Sequence, residues 1–501
     1  MLAAAPSVPS GLATEDVESQ TPVLAATVSD PDGGSVTGKF FARTPGSGTW
    51  NLVNGSSSAG VASGQRARLR LPTSQRVGAS FEWAVQGCDA TACSATSAVQ
   101  TGMVSPMLGA GPRPNATQMS FDVGDRVRAQ VDVGSGNLLV TTTEISLRNV
   151  QDRVDIGVAY NSRALGTRFE AGYPGAGWRM RVGADVELAA NPDGSVTYVG
   201  PDGLTGLFFL KAGSTTTYTA PVGFKADLVK TGTTGWTLTE HGSGKKSVFT
   251  ASGQLDYVDD RNGQRTEFSY SGGGTLTQVV SSLGTANQRT VNVSANSIGL
   301  LATLGQTGAG STVQRQVSYG YGYADDLTSI LDEEGRTTTF GYTAGHQLAS
   351  ITNTGGAVTR FTYDSTHRVT SVTQVNAAAG SPGDSITRLS YPTTSQTLVA
   401  DPNTDQAQPV ASVPHTTYNM TANGDLRVAS AVDAAGNTRS RTYTPFADVA
   451  TLTSPAGTSS FGHASTVNGG ESLTSTQAPM GADTSLAYAN TGAVSKFLPS
   501  S

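Results

Sequence analysis

One register of residues recurs three times in the second half of this 501-residue chain, and it limits the fold more than any other feature of the sequence. Leu255, Val258, Asp260, Gly263 and Phe268 stand in the same order and at the same intervals as Leu327, Ile330, Asp332, Gly335 and Phe340, and again as Leu348, Ile351, Asn353, Gly356 and Phe361. Two residues after each Phe comes a tyrosine: Tyr270, Tyr342 and Tyr363. Phe249 to Phe268 spans 19 residues, Tyr321 to Phe340 spans 19 and Phe340 to Phe361 spans 21, which fits one β-hairpin per period. The chemistry of each position agrees. Asp260, Asp332 and Asn353 suit an Asx turn, in which the side-chain oxygen accepts backbone N–H bonds, and the glycine three residues on supplies positive φ. Phe-x-Tyr sets both aromatics on one face of a strand, and the Leu and Val/Ile positions form the apolar face of its neighbour.

Composition agrees with that reading. The 60 Gly and 22 Pro are spread along the chain, only 14% of residues are charged and 7% are aromatic, so long helices are not expected. The fold class is all-β, and the length accommodates about three domains at roughly 150 residues each. Residues 1–105 read as a small β-sandwich with strands at Pro22–Ser29, Val36–Arg43, Arg66–Leu71, Ser80–Gln86 and Ser94–Thr101, and with Phe81, Trp83 and Val85 facing its core. Asp30 and Asp32 belong to a tight turn, since the further acids of a calcium loop are missing. A Pro/Gly-rich link, Ser105 to Pro114, leads into a second β-region at 106–239, and the repeats occupy 240–501.

Cys88 and Cys93 are the only cysteines, and two strand ends around a short loop can bring them within disulfide reach; a pair of free thiols is the alternative. A disulfide implies export from the cytosol. The start, Met1-Leu2-Ala3-Ala4-Ala5-Pro6, lacks the basic and apolar regions of a signal peptide, so the natural N-terminus is expected upstream. A formal net charge of −6 argues against a nucleic-acid partner, and no apolar run reaches the ~20 residues of a membrane span.

The second β-region carries a sequence order of its own. Asp132, Gly136 and Asn137 lie in a strand–turn–strand segment, Tyr160-Asn161-Ser162 closes a later strand, and Gly177-Trp178 follows. This order resembles the N-terminal region of Rhs (rearrangement hotspot) proteins ahead of their YD repeats. Tyr363-Asp364 is the tyrosine–aspartate pair itself, and the repeat register looks like the YD repeat of Rhs proteins, teneurins and the C components of insecticidal toxin complexes. Weaker copies follow at Asp433–Gly436 to Tyr443, at Phe461 and at Leu486–Tyr488, and the sequence leaves their register open after residue 375. The N-terminal module resembles bacterial immunoglobulin-like or fibronectin type III-like domains.

The resemblance implies a hairpin ribbon that forms part of a shell around a C-terminal toxin in intercellular competition. It also implies a secreted or cell-surface bacterial protein whose partners are the remainder of the shell or a toxin encoded downstream. No match to the D-P-x-G-x-x core motif of that family is found, so the chain reads as a toxin-less N-terminal portion. The alternative is a cell-surface protein that binds a partner or cell-wall glycan through exposed Tyr and Phe rows.

Nothing in the sequence marks an enzyme. His241, His346, His367, His415 and His463 lack metal-ligand spacing, and His241-Gly242-Ser243-Gly244 reads as a hairpin turn without the nucleophile elbow of a hydrolase. Asp259/Asp260, Asp325/Asp326 and Glu333/Glu334 are paired acids, but on turn positions, where solvated carboxylates are expected in place of a glycosidase pair. Nucleotide-binding motifs are absent, so no cofactor is expected.

Overall fold

The computed structural model describes the chain apart from residues 1–3, 16–20, 76–79, 105–109, 149–152, 165–170, 173, 234, 283–287, 308–312, 323–324, 379–382, 422–425, 465–471, 480, 482, 489–493 and 500–501. It divides into two compact units. Part of the expected link, residues 105–109, lies outside the described residues.

The first unit comprises Met1–Leu108 together with Ala189–Thr197 and Gly206–Pro221. One sheet holds Ser10–Glu15, Val23–Val28 and Gln65–Arg70, in that order. The other holds Asn51–Leu52, Ser35–Arg43, Ser80–Cys88 and Gln100–Met103, with Val61–Ala62 paired to Ser35–Arg43. Strict alternation along Ser35–Arg43 sends Val36, Phe40 and Ala42 inward, where they meet Leu24, Val28, Phe81, Trp83 and Val85. The Trp83 indole N–H donates to Thr14 Oγ1 at 3.2 Å, so the largest core side chain leaves no polar atom unpaired. Cys88 and Cys93 are joined as a disulfide.

Two expectations need correction here. The segment Ser94–Val99 is not a strand: the Ser94 and Ser97 hydroxyls accept the Gly87 and Val85 N–H groups in place of ladder carbonyls, and regular pairing resumes only at Gln100. The boundary at residue 105 also fails to enclose the unit, because Leu207 joins this core and Phe209 packs against it.

The second unit comprises Gly109–Leu188, Tyr198–Thr205 and Val222–Ser501. Its first sheet is five-stranded and antiparallel, in the order Trp178–Met180, Val158–Asn161, Leu138–Thr142, Val127–Asp132, Gln118–Gly124. A separate two-stranded hairpin, Ile145–Arg148 with Arg153–Ile156, branches from it. From Ala226–Thr231 to Val494–Pro499 each strand pairs with the next in chain order, so the sheet is a continuous hairpin ribbon that begins before residue 240.

The ribbon is built from one repeated turn. Asp332 Oδ1 accepts the N–H groups of Glu334 and Arg336, the Asp332 carbonyl accepts the Gly335 N–H, and Gly335 has φ 77°. Asp260 with Gly263, Asn353 with Gly356 and Asp433 with Gly436 repeat this geometry. The opposite ribbon edge uses the same turn, capped by Thr343, Asp364 or Thr444. There the positive-φ position holds His346, His367 or Ala447. Each tyrosine then lies at a β-bulge, opposite the first apolar residue of the following strand: Tyr342 opposite Leu348, Tyr363 opposite Val369. From there its hydroxyl donates backwards across the hairpin, Tyr270 to the Leu255 carbonyl at 2.5 Å, Tyr342 to Leu327 at 2.6 Å and Tyr363 to Leu348 at 2.6 Å. Phe268, Phe340 and Phe361 are buried between the Leu and Val/Ile positions.

Candidate functional site

The residues of the N-terminal motif lie on the loops and strand ends of the five-stranded sheet. Asp132 ends the strand Val127–Asp132, and its carboxylate accepts the N–H groups of Gly134 and Ser135, which fixes the turn to Leu138. The same carboxylate is paired with Arg113 through Nε at 3.1 Å and Nη2 at 2.8 Å, and both side chains are buried. Desolvating such a pair is costly, so it persists because every carboxylate lone pair has a donor. Gly136 has φ 70°, and a Cβ there would come within 2.5 Å of Arg368 Cβ, so the motif's glycine serves both the turn and close approach to the ribbon. Its carbonyl accepts the N–H of Val369, a direct backbone bond from motif to ribbon.

Asn137 and Asn161 form the polar centre. The Asn137 amide donates to Asn161 Oδ1 at 2.8 Å, and its own oxygen accepts the Arg163 N–H. Asn161 also accepts the Gly111 N–H at 2.7 Å and donates to the Asp202 carbonyl at 3.0 Å. Both asparagines are almost wholly buried, so two amides satisfy backbone groups of three separate segments, at Gly111, Arg163 and Asp202.

The aromatic half of the motif grips the repeat directly. Gly177, with φ 74°, turns the chain so that Trp178 enters the interior. Trp178 packs on Tyr160 with centroids 5.4 Å apart and edge-on against Phe340 at 5.0 Å. Its indole N–H donates to Tyr342 Oη at 2.8 Å, and that hydroxyl donates onward to the Leu327 carbonyl. Tyr160 Oη accepts the Leu348 N–H at 3.1 Å while Tyr363 Oη donates to the Leu348 carbonyl, so two tyrosines hold both backbone groups of one ribbon residue. Burial pushes the phenols of Tyr160, Tyr342 and Tyr363 far above their usual titration range, so they act as neutral hydrogen-bonding groups.

Around this centre lie links that the sequence did not single out. Arg126 makes a bidentate pair with Glu333 at 2.8 and 3.0 Å, and Arg315 binds the same carboxylate. The Arg126 guanidinium holds the Glu333 carboxyl down at about 2. Thr397 Oγ1 donates to the Val133 carbonyl, and Asn353 Nδ2 donates to the Val123 carbonyl. Asn353 thus caps its turn with one atom and ties down the sheet with another.

Three expectations change at this site. The Phe row is not exposed, since Phe268, Phe340 and Phe361 are at most 6% exposed, while Tyr270, Tyr342 and Tyr363 are half-buried with their hydroxyls engaged internally. Asp260 and Asp326 are buried and not solvated: Asp260 is folded under its own turn as the cap, and Asp326 Oδ2 lies 3.0 Å from His346 Nδ1. Glu333 is the shared acceptor of two arginines, not a free turn acid. Among the described residues no group of three His, Cys, Asp or Glu is placed to hold a metal ion, and no helix is long and apolar enough to cross a membrane.

Residues 321–358 and 344–379 match the RHS Repeat family model, and these segments fall on the ribbon hairpins that carry Tyr342 and Tyr363. The chain therefore carries RHS repeats and resembles the Rhs/YD-repeat family in this segment. No curated protein matches the sequence. Solved structures similar to it include TcdB2-TccC3 without its hypervariable C-terminal region, at 10% identity over 95% of this chain and 28% of that one, with a TM-score of 0.30. TcdB2-TccC3-TEV is 12% identical over 94% of this chain and 24% of that one, TM-score 0.30. A Photorhabdus luminescens Tc holotoxin pore is 12% identical over 96% and 28%, TM-score 0.22. This chain thus spans less than a third of the length of these structures.

Proposed function

We propose that this chain is a non-enzymatic scaffold of the Rhs type, part of a larger protein that encloses and delivers a C-terminal toxin in competition between bacteria. The observation that carries the reading is the RHS-repeat match lying on hairpins whose aromatic faces are buried and whose tyrosines are spent on backbone locks. A single hairpin cannot bury such a face, so neighbours must stack, and the natural product of stacking is an extended wall. The acids and motif residues support a structural role as well, since Asp132, Asp260, Asp332 and Glu333 are engaged in turns and ion pairs. The partners are the remainder of the wall and the toxin. The disulfide supports function outside the reducing cytosol, secreted or at the cell surface.

Electron microscopy of the protein expressed from its complete natural reading frame tests this. A hollow particle with density inside it is expected, and mass spectrometry should identify that density as the C-terminal part of the same chain. Separate globular domains with no enclosing wall would end the proposal.

A further inference from the structure

The ribbon strands Thr438–Tyr443 and Val449–Ser454 keep the common register but depart from its chemistry. Arg441 stands opposite Leu452 as Phe340 stands opposite Ile351, and Arg439 stands opposite Ala431 as Thr338 stands opposite Ile330. Other hairpins hold Thr266 with Phe268, Thr359 with Phe361 and Thr484 with Leu486 at these two places. Two arginines thus project from the face that forms the core earlier in the ribbon, where Thr338, Phe340, Thr359 and Phe361 are buried.

The cover of that face stops just short of them. Val133 and Met119 pack on Met420, Val428 and Tyr418, and Tyr418 stands opposite Ala431. From there the face opens: Ala431 is half-buried, Arg439 and Arg441 are exposed, and Leu452 is 38% exposed. Neither arginine makes an ion pair or a hydrogen bond among the described residues. Asp433, the acid of the turn before them, is engaged by the Ala435 and Asn437 N–H groups and by the Asn437 amide.

Solubility alone does not account for the pair. A face made polar only to suit water would stay polar to its end, yet Phe461 in the next hairpin and Leu486 in the one after restore the apolar pattern at the position of Arg441. The charge is therefore local. Along an extended strand Arg439 and Arg441 lie about 7 Å apart on one side, the spacing that residues i and i+2 of any other extended chain repeat. Each guanidinium can take a carboxylate through two parallel N–H donors. A nucleic acid fits poorly, because its remaining phosphates would meet a chain of net charge −6.

We propose that this stretch of the ribbon docks an acidic polypeptide segment in extended conformation, with two carboxylates spaced two residues apart on Arg439 and Arg441 and an apolar side chain on Leu452. The segment continues, over the uncovered hairpins, the cover that the chain itself supplies as far as Tyr418.

Saturation-transfer NMR of the full chain with capped hexapeptides tests the surface. The probe carries glutamate at its second and fourth positions, leucine at its sixth and threonine elsewhere; the controls replace both glutamates by glutamine or set them side by side. The alternating glutamate peptide should bind at least about ten-fold more tightly than either control, a difference within the reach of two charge-assisted pairs. Leu452→Ala should weaken it several-fold, and Arg439→Gln with Arg441→Gln should remove the preference. Arg439→Glu with Arg441→Glu should reverse it, so that a peptide with lysines in place of the glutamates binds instead. All three positions are exposed, so the unfolding midpoint should not move; if it does, the spacing preference in the unaltered protein still decides the matter. Equal binding of the three peptides, an unchanged preference in the double glutamine variant, or tighter binding of dextran sulfate or oligothymidylate than of the glutamate peptide overturns the proposal.

Discussion

Trp178 combines three kinds of contact in one side chain: an edge-on ring against Phe340, a tilted ring contact with Tyr160 and an indole donor to Tyr342. Trp178→Ala therefore removes a large buried volume and one of the two hydrogen bonds of the Tyr342 hydroxyl, and a loss of about 3–5 kcal/mol in urea unfolding is expected. Trp178→Phe keeps most of the volume and should cost clearly less, so the difference between the two isolates packing from the hydrogen bond. Asp132 is a different case, because removing one partner of a buried ion pair strands the other. Asp132→Ala should cost about 3–5 kcal/mol, while the double change Asp132→Leu with Arg113→Met should recover a large part of it. If the double variant is no more stable than the single one, the capping of Gly134 and Ser135 outweighs the charge pairing. Glu333 gives a pH signature: its carboxyl is held at about 2 in the fold against an ordinary 4.5. The stability it supplies is complete above pH 4.5 and is lost as pH falls toward 2. Arg126→Met should flatten that acid limb in a series of thermal melts, and an unchanged slope would remove Glu333 as its cause.

At the scale of the hairpin, the turn and the tyrosine lock form one device. The turn fixes strand register through two bonds to a single side-chain oxygen, and the tyrosine then spans the hairpin to the carbonyl at its other end. Tyr342→Phe should cost more than Tyr443→Phe by about 1–2 kcal/mol. Tyr342 serves both Trp178 and Leu327, whereas the Tyr443 hydroxyl makes one hydrogen bond, to the Val428 carbonyl. The turn was legible in the sequence because it is local, five residues with an Asx cap and a glycine. Its twin on the other edge is masked in three copies, because His346, His367 and Ala447 occupy the positive-φ position that Gly253 and Gly274 hold in earlier ones. There the capping oxygen of Thr343, Asp364 or Thr444 offsets the backbone cost. The motif residues around Trp178 could be picked out by order, but their target could not. Which ribbon strand meets which motif residue depends on pairing across 164 positions, as between Trp178 and Tyr342, and no local pattern encodes that.

Across the second unit, the ribbon is not equally supported along its length. Contacts from the five-stranded sheet and the segments beside it reach the ribbon at Leu348, Asn353, Val369, Thr397 and Ala447. Burial follows those contacts. Phe340 stands opposite Ile351, and they are 4% and 0% exposed; at the equivalent place further on, Arg441 stands opposite Leu452, which is 38% exposed. The hairpin geometry is unchanged there, so strand pairing alone must hold what packing holds earlier. In a stack of nearest-neighbour units, stability is the sum of each hairpin and its interfaces, and loss of one cover is felt locally. Hydrogen exchange should show this directly: amides in Leu348–Thr352 and Val358–Tyr363 should exchange at least about a hundred-fold more slowly than those in Val449–Ser454 and Asp483–Tyr488. Trp178→Ala should erase protection in the first pair of strands and leave the second pair unchanged. Equal protection along the whole ribbon, or loss of protection everywhere in the variant, would mean that the ribbon folds as one cooperative body, and that the five-stranded sheet does not set its local stability.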